Sequence, residues 1–265
     1  MAEVTAGNLR FHVQRLGDGP PTVVFIHGLV MDNLSSWYFT VATRAARGAE
    51  VVLYDLRGHG RSERPPTGYG VADMTADLAG VLDALGLGGR PVELVANSFG
   101  GTVALAFAIA HPDQVRGLAL VDAHVPDAEW GPRLAAELRL EGPDRDALIA
   151  RHFSTWLGRH SERKRNRLAE TARALVEGTS LTRDLAATPP LLDADLRAIR
   201  CPVLALYGER SSIRSHAVRL AEAVPDCRLH LVPGCTHSLI WEATALLQAE
   251  LVAWLERPDP IPVAE

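Results

Sequence analysis

The chain is poor in cysteine: Cys201, Cys227 and Cys235 are the three in 265 residues, and no two form a C-x-x-C pair. Such an odd, scattered set of thiols excludes a disulfide frame and a thiolate zinc site as organising features. Basic charge is also short. The 27 Lys and Arg stand against 32 Asp and Glu, and the net charge of −5 has the wrong sign for a dedicated nucleic-acid binder. No apolar run approaches the roughly 18 residues that a membrane span needs. The opening MAEVTAGNLRFHVQRLG has neither a basic n-region nor an apolar h-region, so no signal peptide is expected. The ten histidines form no H-E-x-x-H, and no G-x-x-x-x-G-K-[ST] occurs. The expectation is a cytoplasmic protein with no metal, cofactor, nucleic acid or membrane to bind.

What is present suits a large folded unit. Hydrophobic residues make up 47% and charged residues 22%, enough to bury a sizeable core in one large domain, or in a core with an insertion. Residues 4–16 alternate around AGN and predict an opening hairpin. Short apolar runs then predict strands at 22–28, 51–55, 92–96, 117–122, 202–208 and 227–234. Between them fall helical patterns: one from Ser35 and Ser36, as caps, to about Gly48, one over 71–85, one from Ser98 to about 111, and two near 213–223 and 241–256. Strands alternating with helices imply a parallel sheet covered on both faces. The interval 126–198 breaks the rhythm, with helical stretches punctuated by WGP, EGPD, EGTS and TPP, and reads as an inserted helical subdomain.

VELVANSFGGTVALAF, residues 92–107, runs from strand to helix through a corner that holds Ser98. Strand, tight turn and helix with a nucleophile at the tip is the arrangement of G-x-S-x-G, here Ala96-Asn97-Ser98-Phe99-Gly100 with alanine for the first glycine. It would expose the hydroxyl at the sheet edge and aim the free N–H groups of a helix start at a reacting carbonyl. On the motif alone, Ser98 can equally be the N-cap of a buried helix. Two further stretches tip the balance. HGLV follows a strand where a second N–H should complete an oxyanion hole, which pairs Leu29 with Phe99. VPGCTHSLIWE then places His237 in the loop after the last strand, where a general base belongs.

VVFIHG, YDLRGHGRS, VANSFGG, VLALYGE and GCTHSLIWE, in this order across about residues 4–256, resemble the α/β-hydrolase superfamily and its lid-bearing members. The resemblance implies a mainly parallel eight-stranded sheet with helices on both faces. It implies a core of residues 1–125 and 199–265, a helical lid at 126–198, and Ser98 and His237 as nucleophile and base. The polar residues of DLRGHGRS read as structural, with the glycines turning the chain.

The acid that should orient the base is displaced. Many relatives carry it three residues past the glycine that ends the strand at 202–208, and that position here is Ser211, with Glu209 nearer the strand end. Asp122 closes the preceding strand and has Pro126 four residues on, as in haloalkane dehalogenases, which place their acid after this strand. Dehalogenation itself needs a carboxylate nucleophile, and the elbow offers serine. The expected order is Ser98, Asp122, His237, with Glu209 the competing acid, and a structural role for Asp122 or no orienting acid at all also open.

For the substrate, the expected lining is apolar: Val30, Met31, His124, Trp130, Phe153 and Trp156, beside Leu29 and Phe99. Asp32-Asn33 would meet a polar group or cap the next helix. RHSERKRNR, residues 159–167, is a solvated helix face or a docking patch for coenzyme A or an acyl-carrier protein. Two function classes result: a serine hydrolase of an ester, thioester or lactone with an apolar portion, or a lyase, cyclase or ligand-binding relative that keeps the pocket without hydrolysis.

Overall fold

The computed structural model describes residues 2–145, 147, 158 and 161–257. Eight strands form one sheet: β1 (Ala2–Ala6), β2 (Leu9–Leu16), β3 (Thr22–Ile26), β4 (Glu50–Tyr54), β5 (Val92–Asn97), β6 (Val115–Val121), β7 (Val203–Gly208) and β8 (Cys227–Val232). Their spatial order is β1-β2-β4-β3-β5-β6-β7-β8. The first two pairings are antiparallel and the rest parallel, as the implied fold requires.

The apolar runs of β3 to β7 are nearly continuous because these strands are covered on both sides, whereas the edge strand β8 alternates and is only partly buried. Along β3, Val24 and Ile26 join one core with Leu78, Val103 and Leu105, while Val23 and Phe25 join the other with Trp37 and Leu251. The period of two thus divides one hydrophobic run between two layers. Each fully buried Val, Leu or Ile contributes roughly 1.5–3 kcal/mol.

The helices are α1 (Ser35–Trp37), a π-helical turn (Tyr38–Ala42), α2 (Thr43–Ala45), α3 (Val71–Ala84), α4 (Phe99–Ala110), α5 (Trp130–Leu138), α6 (Glu162–Gly178), α7 (Leu181–Ala186), α8 (Asp193–Arg197), α9 (Arg214–Ala223), α10 (Leu239–Glu242) and α11 (Thr244–Leu255). The described residues between β6 and β7 form helices and no strand. Two helix expectations change. Ser35 and Ser36 do not cap α1; Leu34 precedes it without a side-chain cap bond, and the Ser36 hydroxyl instead donates to Asp32 Oδ1. The C-terminal helix is two pieces, broken at Ala243. No described helix is long and apolar enough to cross a membrane.

Candidate active site

In an open parallel sheet the loops at the carboxyl ends of the strands gather into one crevice. Here β3, β5 and β6 are neighbours, and each is followed within four residues by a non-glycine residue with positive φ: Val30 (65°), Ser98 (51°) and Asp122 (45°). Such residues cost about 1–3 kcal/mol each and collect where function over-determines the backbone.

Ser98 sits between β5 and α4 with ψ −123°, at the flank of α4, and makes no side-chain cap bond. Its Oγ lies 3.0 Å from His237 Nε2 instead. The corner is tight because the glycines after it have no room for a side chain. A Cβ at Gly100 would stand 2.5 Å from the His27 carbonyl oxygen, and one at Gly101 2.2 Å from Ala123 Cβ. α4 therefore presses on the ends of β3 and β6, with the N–H of Phe99 at its first turn, where no intrahelical acceptor exists.

His237 comes from the loop between β8 and α10. Its Nδ1 faces Asp122 Oδ1 at 3.4 Å, longer than the 2.6–3.2 Å of a well-formed bond. Asp122 is buried, and Gly208 N–H donates to its Oδ2 at 2.9 Å. Ser211 donates its hydroxyl to Oδ1 at 2.5 Å. The competing acid is elsewhere: Glu209 is exposed and accepts Gly234 N–H at 3.0 Å. A second histidine stands beside the first, with the His124 ring 5.5 Å from that of His237 and 5.7 Å from that of His216. His216 accepts Val125 N–H through Nδ1 at 2.8 Å, and burial pulls its pKa down to about 4, so it is neutral at pH 7.

A cavity of about 50 Å³ opens beside Ser98 and His237, above the ~10–15 Å³ that one water requires. Leu29 and Met31 are on its wall, with Asp32, Asn97 and Trp241. Phe99, Val30, His124 and Trp130 stand outside that wall. Trp130 is buried and stacks on Phe99, ring centroids 6.3 Å apart, and so acts in the core under the elbow. Phe153 and Trp156 lie outside the described residues. The sequence reading passed over Ile240 and Trp241, whose signal was their place three and four residues after His237. The described residues contain no cluster of three His, Cys, Asp or Glu fit to hold a metal.

Comparison with known proteins agrees with this architecture. Residues 21–195 match the alpha/beta hydrolase fold family. A 2-hydroxy-6-oxo-2,4-heptadienoate hydrolase of Pseudomonas putida is 31% identical over 252 residues, 88% of each chain. A pimeloyl-[acyl-carrier protein] methyl ester esterase of Chromobacterium violaceum is 31% identical over 87% of this chain and 92% of that one. The solved thermophilic esterase of Thermogutta terrifontis is 28% identical with a TM-score of 0.77, covering 96% of this chain and 97% of that one. With a family match over most of its length and a sheet of the required order, this chain belongs to the α/β-hydrolase fold family and is a hydrolase.

Proposed function

We propose that the protein is a serine hydrolase that cleaves an ester, thioester or lactone of a small molecule with an apolar portion, through an acyl-enzyme on Ser98. The observation that carries this is the 3.0 Å approach of Ser98 Oγ to His237 Nε2, made by a serine that caps nothing. His237 takes the hydroxyl proton as Oγ attacks the carbonyl carbon. The resulting oxyanion meets the N–H groups of Leu29 and Phe99. Asp122 fixes the Nδ1–H tautomer and steadies the imidazolium, which then protonates the leaving group. Water, deprotonated by His237, releases the acyl group by the reverse path. In this reading residues 126–198 are a lid over a core made of 1–125 and 199–265, and the reaction belongs to the cytoplasm.

A fluorophosphonate should add one adduct at Ser98, absent in Ser98→Ala, and a p-nitrophenyl ester series of rising chain length should then define the acyl preference. The panel also needs a 6-oxo-dienoate, since one relative is named for that substrate. Exposed Arg163, Arg165 and Arg167 on α6 offer a surface to an acidic carrier, and another relative is named for a carrier-linked ester, so a coenzyme A thioester and a carrier-linked ester complete it. A folded protein that resists the probe while control hydrolases label would move the reading to a lyase, cyclase or ligand-binding relative.

A further inference from the structure

The turn after β3 spends almost every N–H it has on a named acceptor. Gly28 N–H donates to Asp32 Oδ2 at 2.8 Å. Val30 N–H donates to His59 Nε2 at 2.8 Å. Met31 N–H donates back to the Leu29 carbonyl at 2.9 Å, and Asn33 N–H to Asp32 Oδ1 at 2.9 Å. Leu29 is flanked on both sides by engaged amides, and it stands on the cavity wall beside Ser98.

The bond from Met31 to Leu29 spans three residues about Val30, whose φ is 65°. A three-residue turn with positive φ at its centre is a rare and strained form, and a β-branched residue there is the least suited to it. Such a turn persists only if something outside it holds it. Two side chains do so. Asp32 also accepts the Asn97 amide at 3.2 Å, tying the turn to the residue before Ser98. His59, from the glycine-rich loop after β4, is 1% exposed, and its Nδ1 donates to the Arg57 carbonyl at 2.8 Å. That bond fixes the tautomer: Nδ1 carries the hydrogen and Nε2 is a bare acceptor facing Val30 N–H.

From this geometry we infer that His59 is a positioning residue of the hydrolytic site: its Nε2 clamps the Val30 amide, holds the strained turn closed and so aims Leu29 N–H at the oxyanion. The inference rests on the serine-hydrolase reading for its catalytic consequence, though not for the clamp itself. His59 touches no reacting atom. It acts through two peptide units, in a motif whose polar residues read from sequence as scaffolding.

The test separates the clamp from the chemistry. His59→Leu removes the acceptor, whereas His59→Gln places an amide oxygen near the position of Nε2. Amide hydrogen exchange should show Val30 protected in the wild type and in His59→Gln, and exchanging at least tenfold faster in His59→Leu. With a p-nitrophenyl ester, His59→Leu should lower kcat by about 10–100-fold with KM changed less than threefold, since a misaimed donor loses part of the 10²–10³ that removing one costs. The affinity for a trifluoromethyl ketone, which forms the tetrahedral adduct, should fall by the same factor, and His59→Gln should recover most of both. An unprotected Val30 amide in the wild type would end the clamp. Protection lost in His59→Leu with kcat unchanged would end the positioning role while Ser98 labelling still stood. If Ser98 itself resists the fluorophosphonate, the hydrolase reading falls and the exchange data alone decide the clamp. Should His59→Leu fail to fold, a His59→Gln enzyme with a protected Val30 amide and kcat lowered about 10–100-fold, or with an exposed Val30 amide and wild-type kcat, would overturn the proposal.

Discussion

Ser211 donates its hydroxyl to Asp122 Oδ1, the same oxygen that faces His237 Nδ1. The position where the resemblance would put the acid holds a serine here, and that serine binds Asp122, which follows the neighbouring strand β6. Oδ1 is thus shared between a close hydroxyl at 2.5 Å and an imidazole at 3.4 Å.

Asp122→Asn should keep the fold and lower kcat on the order of 10³–10⁴-fold, by analogy with the serine-protease acid, because the amide favours the wrong imidazole tautomer. Steady-state kinetics beside a circular-dichroism melt decide it. A variant with nearly full activity, or a Glu209→Gln variant as impaired as Asp122→Asn, would remove Asp122 from the role.

Ser211→Ala should fall between the wild type and Asp122→Asn, with kcat reduced by about tenfold and KM unchanged. It removes one bond to a charged group, of the class worth about 1.5–3 kcal/mol, but leaves Gly208 N–H holding Oδ2. An effect on KM instead would mean that Ser211 lines the substrate pocket rather than steadies the carboxylate.

The neutral buried histidines make the fold acid-sensitive. Burial pulls His59 down to about 3, and the neighbouring His27 pulls the same way. Its folded pKa is below the ordinary unfolded value of about 6.5. Between these values the unfolded chain binds the extra proton, so stability is intact above about pH 6.5 and drains away as pH falls toward 3. His216, near 4, adds to the trend with the same sign. Urea midpoints should drop from pH 7 to pH 5, and the drop should shrink, without vanishing, in His59→Gln. An unchanged slope would show that His59 is not held neutral.

If 126–198 is a lid, limited proteolysis should cut first at Glu141-Gly142-Pro143-Asp144, whose residues are exposed, before any strand of the sheet. A covalent inhibitor on Ser98 should slow that cut. Cleavage first within the core, at the same rate with or without inhibitor, would count against it.

Much of this was legible in the sequence, and the part that was not has a common cause. The strands from β3 to β7 are mainly apolar and β8 alternates, and Ser98 and His237 stand out in the sequence by lying just past such segments. Asp122 was harder to read: a strand-end aspartate looks alike whether it orients a base or bonds a loop. Its partner Ser211 is 89 residues away, a pairing that only the alignment of β6 with β7 creates. Val30 hid for the opposite reason. A valine after a strand reads as more strand, and nothing local signals a left-handed turn. Asp32 was read as a capping residue or a substrate contact; its acceptors are in fact filled by Gly28, Asn33, Ser36 and Asn97.

Three adjacent strands end near left-handed corners at Val30, Ser98 and Asp122, and none of these is glycine. Glycine would relax each corner, and at two of them it would delete a proposed catalytic side chain. At Ser98, selection for heat tolerance and selection for turnover therefore pull in opposite directions. At Asp122 the carboxylate also holds Gly208 N–H and the Ser211 hydroxyl, and losing those bonds offsets the relaxed corner. A library screened only for a higher melting temperature should accept glycine at 98 and return stable, silent enzymes; one screened for turnover should keep the corner and find its stability elsewhere.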